Sequence, residues 1–192
     1  MLRVLFLAVI FAAILGCSAP ASQPKFIATD ITGSLIGSDF SLSDHNGKLR
    51  RLSDFRGKVT LLFFGYTHCP DACPTTMTEL AQVVKLLGDK GRDVQVLFVT
   101  VDPERDSLDV LKSYVPSFNP DFLGLRGDDA TTHKVAEDFK IYYAKQASNS
   151  KAGYTIDHST GVYVFDKQGQ IRLFLTNSLK PKDIAHDVGM LM

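Results

Sequence analysis

The chain has 192 residues, 45% of them hydrophobic, and its 21 basic side chains are balanced by 21 acidic ones. At ~150 residues per domain this suits one ordinary core with a tail. The even charge, with no basic stripe, argues against nucleic acid as a partner.

Arg3 gives residues 1–17 a short basic start, and residues 4–15 form an apolar run unbroken by charge. A bilayer span needs about 20 such residues, so the run reads instead as the apolar region of an export signal. It ends in Ile14-Leu15-Gly16-Cys17, followed by Ser18-Ala19-Pro20-Ala21-Ser22-Gln23-Pro24. A small residue before a cysteine, then a Ser/Ala/Pro spacer, resembles a bacterial lipoprotein signal, although Ile14 and Leu15 depart from the commonest residues. On that reading Cys17 carries the lipid and residues 18–25 are a linker. The competing reading is an uncleaved N-terminal anchor that happens to contain a cysteine. Both tether the domain to a membrane of the bacterial cell envelope, in the periplasm or otherwise outside the cytoplasm.

A single domain is expected over 26–192. Residues 26–32 suggest a short strand. An alternating run at 40–43, the Asn46-Gly47 turn and residues 49–52 predict a β-hairpin. Residues 59–65 (VTLLFFG) read as a strand buried on both faces. A helix is predicted over 74–87, with Met77, Leu80, Ala81, Val84 and Leu87 on one stripe and Gly88 at its end. The alternation repeats with a strand at 94–101, a helix at 107–114 capped by Ser107, a strand at 122–125 and a helix at 129–139. A polar stretch at 147–152 and a polar loop at 154–161 lead into a hairpin of 162–166 and 170–175. A last helix opens near Pro181 with Ile184, Val188 and Leu191 on one face. This order predicts an α/β three-layer domain of thioredoxin-like type with an added N-terminal β-hairpin.

With Cys17 lipidated, only Cys69 and Cys73 remain in the mature domain. Exported compartments oxidise stray thiols, and a disulfide closing so small a loop constrains the unfolded chain little. Chemistry explains the pair better than stapling does. The two thiols lie in Gly65-Tyr66-Thr67-His68-Cys69-Pro70-Asp71-Ala72-Cys73-Pro74, at the carboxyl end of a central strand, where α/β folds place their sites. Pro74 favours a helix start and disfavours helical geometry at Cys73. Both thiols then sit at or before a helix N-terminus, whose dipole and free N–H groups favour thiolate. Residues four apart on a helix have Cβ atoms ~5–6 Å apart, and metal–sulfur bonds of ~2.3 Å bridge sulfurs up to roughly 4.6 Å apart. The spacing suits a shared metal at least as well as a relaxed disulfide, and a redox-active disulfide between Cys69 and Cys73 stays open. Two thiolates select a soft ion, Cu(I) foremost and Zn(II) second. His158, in Tyr154-Thr155-Ile156-Asp157-His158-Ser159-Thr160-Gly161, is the candidate third ligand, and its imidazole also accepts Cu(II).

Several separated segments carry a family resemblance: DFSLSDHNGKLRRLSDFRGKV at 39–59, FFGYTHCPDACP at 63–74, VDPERD at 101–106 and YTIDHS at 154–159. In this order they resemble the Sco/SenC family of copper-binding proteins that assist cytochrome c oxidase assembly, over roughly 26–192. The resemblance implies a thioredoxin-like fold and one copper ion per chain, held by Cys69, Cys73 and His158. It also implies a periplasmic copper donor and cytochrome c oxidase subunit II as partners, and a copper chaperone rather than an enzyme. Many members carry a transmembrane anchor, so the lipoprotein-like start is a departure that alters the tether and not the site.

Other residues have blander readings. Met77 belongs to the apolar stripe of its helix. Asp102 ends a strand before Pro103, and is either a turn former or a carboxylate that supports the site. Asp71 is placed to cap the helix, and His68 is carried away from Cys69 by alternation along the chain. Asp157 is a candidate to orient His158, while His45, His133 and His186 are expected to face solvent. Two other functions use the same cysteines. One is a periplasmic thiol–disulfide oxidoreductase acting on copper-site cysteines, weakened by the third intervening residue and by the lack of a proline before 162. The other is a thiol peroxidase, which leaves His158 without a task.

Overall fold

The computed structural model describes residues 25–37, 39–147 and 153–192. Cys17, the signal segment 1–17 and nearly all of the expected linker therefore lie outside the described residues. One eight-stranded sheet organises the chain, in the order β1 (Thr29–Asp30), β10 (Ile171–Leu175), β9 (Val162–Phe165), β4 (Val59–Gly65), β5 (Val94–Thr100), β6 (Leu123–Arg126), β2 (Leu42–Asp44) and β3 (Leu49–Arg50). Its centre is parallel: β4 (Val59–Gly65) pairs with β5 (Val94–Thr100) residue for residue from Val59↔Val94 to Gly65↔Thr100, and β5 pairs with β6 (Leu123–Arg126). Every residue of β4 and β5 is buried, as a doubly covered strand requires. On the other side of β4 runs β9 (Val162–Phe165), antiparallel, then β10 (Ile171–Leu175) and β1 (Thr29–Asp30).

Successive side chains of a strand point to opposite faces. Phe63 meets Phe98 on the face that carries the cysteine helix α1 (Ala72–Leu86). Phe64 meets Phe139, at the end of α3 (Asp129–Asp138), on the other. Helix α4 (Pro181–Met190) packs against α1, so the three expected layers are present. The short α2 (Leu108–Tyr114) leans on β6 and starts as expected, with the Val110 N–H donating to the Ser107 hydroxyl at 3.3 Å. The hairpin of β2 (Leu42–Asp44) and β3 (Leu49–Arg50) joins the sheet edge beside β6. No helix among the described residues is long and apolar enough to cross a membrane.

Four local features differ from the sequence reading. The first strand shrinks to Thr29–Asp30, because an edge strand with both residues exposed has only β10 to pair with. The second hairpin strand stops at Arg50 and gives way to a 3-10 turn at Leu52–Phe55. Helix α1 begins at Ala72, two residues early; a proline anywhere in the first turn sacrifices no helical hydrogen bond, so Pro74 does not set the boundary. Finally, the expected polar loop around 154–161 contains a strand, β8 (Tyr154–His158), which pairs with β7 (Tyr143–Ala147) in a two-stranded ribbon apart from the main sheet. Only Ile156 of the ribbon is buried, and the ribbon lacks the apolar alternation that marks a half-buried strand.

Candidate metal centre

Cys69 ends the turn after β4, Cys73 lies in the first turn of α1, and His158 closes β8. Their sulfur and ring-nitrogen atoms all lie within 4.8 Å of one another, and no other such group of three is found among the described residues. Both thiols are free. Cys73 is fully buried, and its Sγ lies 3.4 Å from the Nε2 of His158. Cys69 is half-buried and opens to the surface.

Backbone geometry explains the difference between the sulfurs. The Cys73 N–H donates to the Cys69 sulfur at 3.5 Å, so that sulfur closes the helix start. Asp71 stands at the capping position but makes no side-chain cap; its carboxylate takes the Thr75 hydroxyl at 3.4 Å instead. A hydrogen bond from the Cys73 thiol, aided by His158 and by the N–H groups of Asp71 and Cys73, pulls the Cys69 thiol down to about 3. Sharing that proton with Cys69, together with burial, pushes the Cys73 thiol far up. One proton thus serves the pair, with the charge on the outer sulfur.

The imidazole is oriented from behind. His158 Nδ1 lies 2.8 Å from the Ser159 carbonyl, which can only accept, so Nδ1 carries the hydrogen and the ring turns Nε2 toward the sulfurs. The Phe63 and Tyr66 rings bracket the imidazole at centroid distances of 6.3 and 5.7 Å. Asp157 is exposed, and the orienting task considered for it falls to the Ser159 carbonyl. Asp102 is buried but faces the ribbon rather than the thiols, accepting the Tyr154 hydroxyl at 2.8 Å and pairing with Arg105. His68 turns toward Asp106, with Nδ1 3.7 Å from its carboxylate, and stays out of the ligand group. Met77 is buried in the core, and His133 and His186 are exposed. His45 is not solvent-facing: it is buried, and its Nδ1 accepts the Gly124 N–H at 3.1 Å, because the hairpin folds it against β6.

Three supports were not visible in the sequence reading. Gly65 leaves room for a sulfur: a Cβ there would stand 2.8 Å from Cys73 Sγ. Fully buried Asp106 accepts the Thr67 amide at 3.0 Å and the Thr100 hydroxyl at 2.6 Å, fixing the turn before Cys69. Tyr66 accepts the Ile156 N–H at 3.2 Å through its hydroxyl, joining the ribbon to the cysteine loop. An acidic residue closing VDPERD and an aromatic after the strand were the only signals available.

Comparison with known proteins places this geometry in context. The family model described as SCO1/SenC matches residues 28–192. A SCO2-like protein of Rickettsia prowazekii is 37% identical over 150 residues, which are 78% of this chain and 73% of that protein. The copper-bound structure of Bradyrhizobium japonicum ScoI superposes with a TM-score of 0.75 at 38% identity, covering 82% of this chain and 99% of that one. The apo Sco1 structure of Thermus thermophilus gives a TM-score of 0.74 at 35% identity, covering 90% of this chain and all of the other.

Proposed function

The chain belongs to the SCO1/SenC family, and on that premise we propose that it is a copper-binding protein of cytochrome c oxidase assembly. It takes one copper ion per chain through Cys69, Cys73 and His158. The observation that carries this reading is the convergence of two thiols and an imidazole nitrogen within 4.8 Å. Two sulfurs and one nitrogen suit copper in either oxidation state, the sulfurs favouring Cu(I) and the imidazole tolerating Cu(II).

Copper is cargo on this account. The domain is tethered to the cell envelope through its N-terminal lipid or anchor, receives the ion from a periplasmic donor, and passes it to cytochrome c oxidase subunit II. Hand-over by ligand exchange needs one ligand an incoming sulfur can reach and one that keeps hold meanwhile. Half-buried Cys69 and fully buried Cys73 divide those tasks. The test is to titrate Cu(I) and Cu(II) into the reduced protein and its Cys69→Ser, Cys73→Ser and His158→Ala variants. One ion per chain is expected for the parent, with Cu(I) lost in both cysteine variants and Cu(II) lost in the histidine variant. Unchanged binding in either cysteine variant overturns the reading.

A second reading, thiol–disulfide exchange on the copper-site cysteines of a partner, has one specific observation in its favour. The outer thiol is held ionised at about 3, with an inner thiol behind it. The Cys69 thiolate would attack a partner disulfide and release one partner thiolate. Cys73 would then displace the second, leaving a Cys69–Cys73 disulfide. Rapid reduction of insulin without copper would favour this role, and its absence would leave copper binding alone.

A further inference from the structure

The ribbon that carries His158 has no place in the main sheet, and its strands form a ladder only with each other. A lone two-stranded ribbon is at best marginally stable in water, so its contacts with the domain decide where His158 stands. Besides buried Ile156, whose N–H donates to the Tyr66 hydroxyl, those contacts gather on Tyr154, at the far end of β8 from His158. The Arg105 guanidinium lies 3.6 Å from the Tyr154 ring centroid, and its Nη1 donates to the Tyr154 carbonyl at 2.9 Å. Asp102 holds Arg105 from behind and accepts the Tyr154 hydroxyl. The same guanidinium lies 5.7 Å from the Tyr66 ring, whose other neighbour is the imidazole of His158. Lys145 on β7 pairs with Glu104 of the same loop and lies 4.7 Å from the Tyr154 ring centroid. The loop 102–105 therefore grips the ribbon through a charged, half-open contact, whereas the two sulfurs stand on the turn after β4 and the first turn of α1.

We infer that Arg105 and Tyr154 are positioning residues for the third ligand, and that their clamp sets the protein's preference between copper oxidation states. The inference rests on the copper-binding reading above. Cu(I) is satisfied by two thiolates, which the clamp does not touch, while Cu(II) depends on the imidazole nitrogen. Loosening the ribbon withdraws the imidazole and leaves the sulfurs in place. A guanidinium is the group for this position, because one planar fork must stack on a ring, reach a carbonyl and pair with a carboxylate at once. An ammonium cannot do all three.

The experiment measures Cu(I) and Cu(II) affinities of the full chain for the parent, Arg105→Ala, Arg105→Lys, Tyr154→Ala and Tyr154→Phe. Electron paramagnetic resonance of the Cu(II) forms reports nitrogen coupling. Arg105→Ala and Tyr154→Ala are expected to weaken Cu(II) binding about 10–100-fold, the range typical for partners that orient a ligand. Both should lose the imidazole signature and leave Cu(I) affinity unchanged. Arg105→Lys should not rescue, and Tyr154→Phe, which keeps the ring and the carbonyl, should stay close to the parent. Equal losses for both ions, or nitrogen coupling intact in both alanine variants, would overturn the inference. Should Arg105→Ala fail to fold, Tyr154→Ala carries the test alone. A parent unable to bind Cu(I) would instead refute the copper reading itself.

Discussion

The two cysteines are four residues apart and chemically unlike. Cys69 accepts hydrogen bonds at a helix start and opens to the surface, whereas Cys73 is sealed beneath it against Gly65. An ordinary thiol, with a free value near 8.5, loses about tenfold in thiolate for each pH unit below that value. Cys69, held down to about 3, stays ionised across that range. Alkylation of the reduced protein should therefore label Cys69 first, at a rate nearly constant from pH 8 to pH 5. Peptide mass spectrometry reads this directly, and a tenfold fall per pH unit at Cys69 would contradict it. The glycine behind the inner sulfur gives a second prediction. A Cβ at position 65 would meet Cys73 Sγ at 2.8 Å and Phe98 at 3.0 Å. Gly65→Ala should cost about 1–3 kcal/mol in urea unfolding, the range for overpacking a core, and weaken Cu(I) binding as the sulfur shifts. The ligands were legible in the sequence because Cys-x-x-x-Cys before a helix and a distant Asp-His-Ser are dense chemical signals. Gly65 was not, because a glycine's use depends on what folds against it.

Among the elements, β4, β5 and α1 were readable from apolar runs and helical spacing, since burial on both faces or along one stripe leaves a pattern. The ribbon β7–β8 was not, because only Ile156 of it is buried in the core and its remaining ties run to Arg105, Tyr66 and Asp102. The hairpin β2–β3 makes the same point through His45, which periodicity assigns to a turn and the fold buries. Desolvation lowers the affinity of His45 for a proton, and its Nδ1 is already occupied by the Gly124 N–H. A histidine kept neutral in the fold takes up its proton more readily when unfolded. Stability from this group is thus complete above the ordinary value of 6.5 and declines as pH falls below it toward the lowered folded value. The urea midpoint should fall between about pH 7 and pH 5, and His45→Gln should flatten that part of the profile. An unchanged slope in the variant would show that His45 is not responsible.

For the whole molecule, the chain's two described ends are joined by one side chain. Fully buried Asp187 on α4 accepts the backbone N–H of Ile27 at 2.9 Å and of Ala28 at 2.7 Å, and its other oxygen lies 2.9 Å from His186 Nδ1. The segment that opens the domain is thereby fixed to the helix that packs on α1. Asp187→Ala leaves two backbone donors without a partner at about 1–3 kcal/mol, so Tm should drop by roughly 2–12 °C at 2–4 °C per kcal/mol. Limited proteolysis should then cut before residue 30. An unshifted Tm with an uncut N-terminus would contradict this anchoring. The central claim concerns the one place where a strand end, a helix start and an outlying ribbon converge. X-ray absorption at the copper edge, on protein loaded with one Cu(II) per chain, tests it most directly. Two sulfurs and one imidazole nitrogen in the first coordination sphere, with the nitrogen lost in His158→Ala, is the predicted result. A sphere of oxygen and nitrogen alone, or one untouched by that substitution, would contradict it.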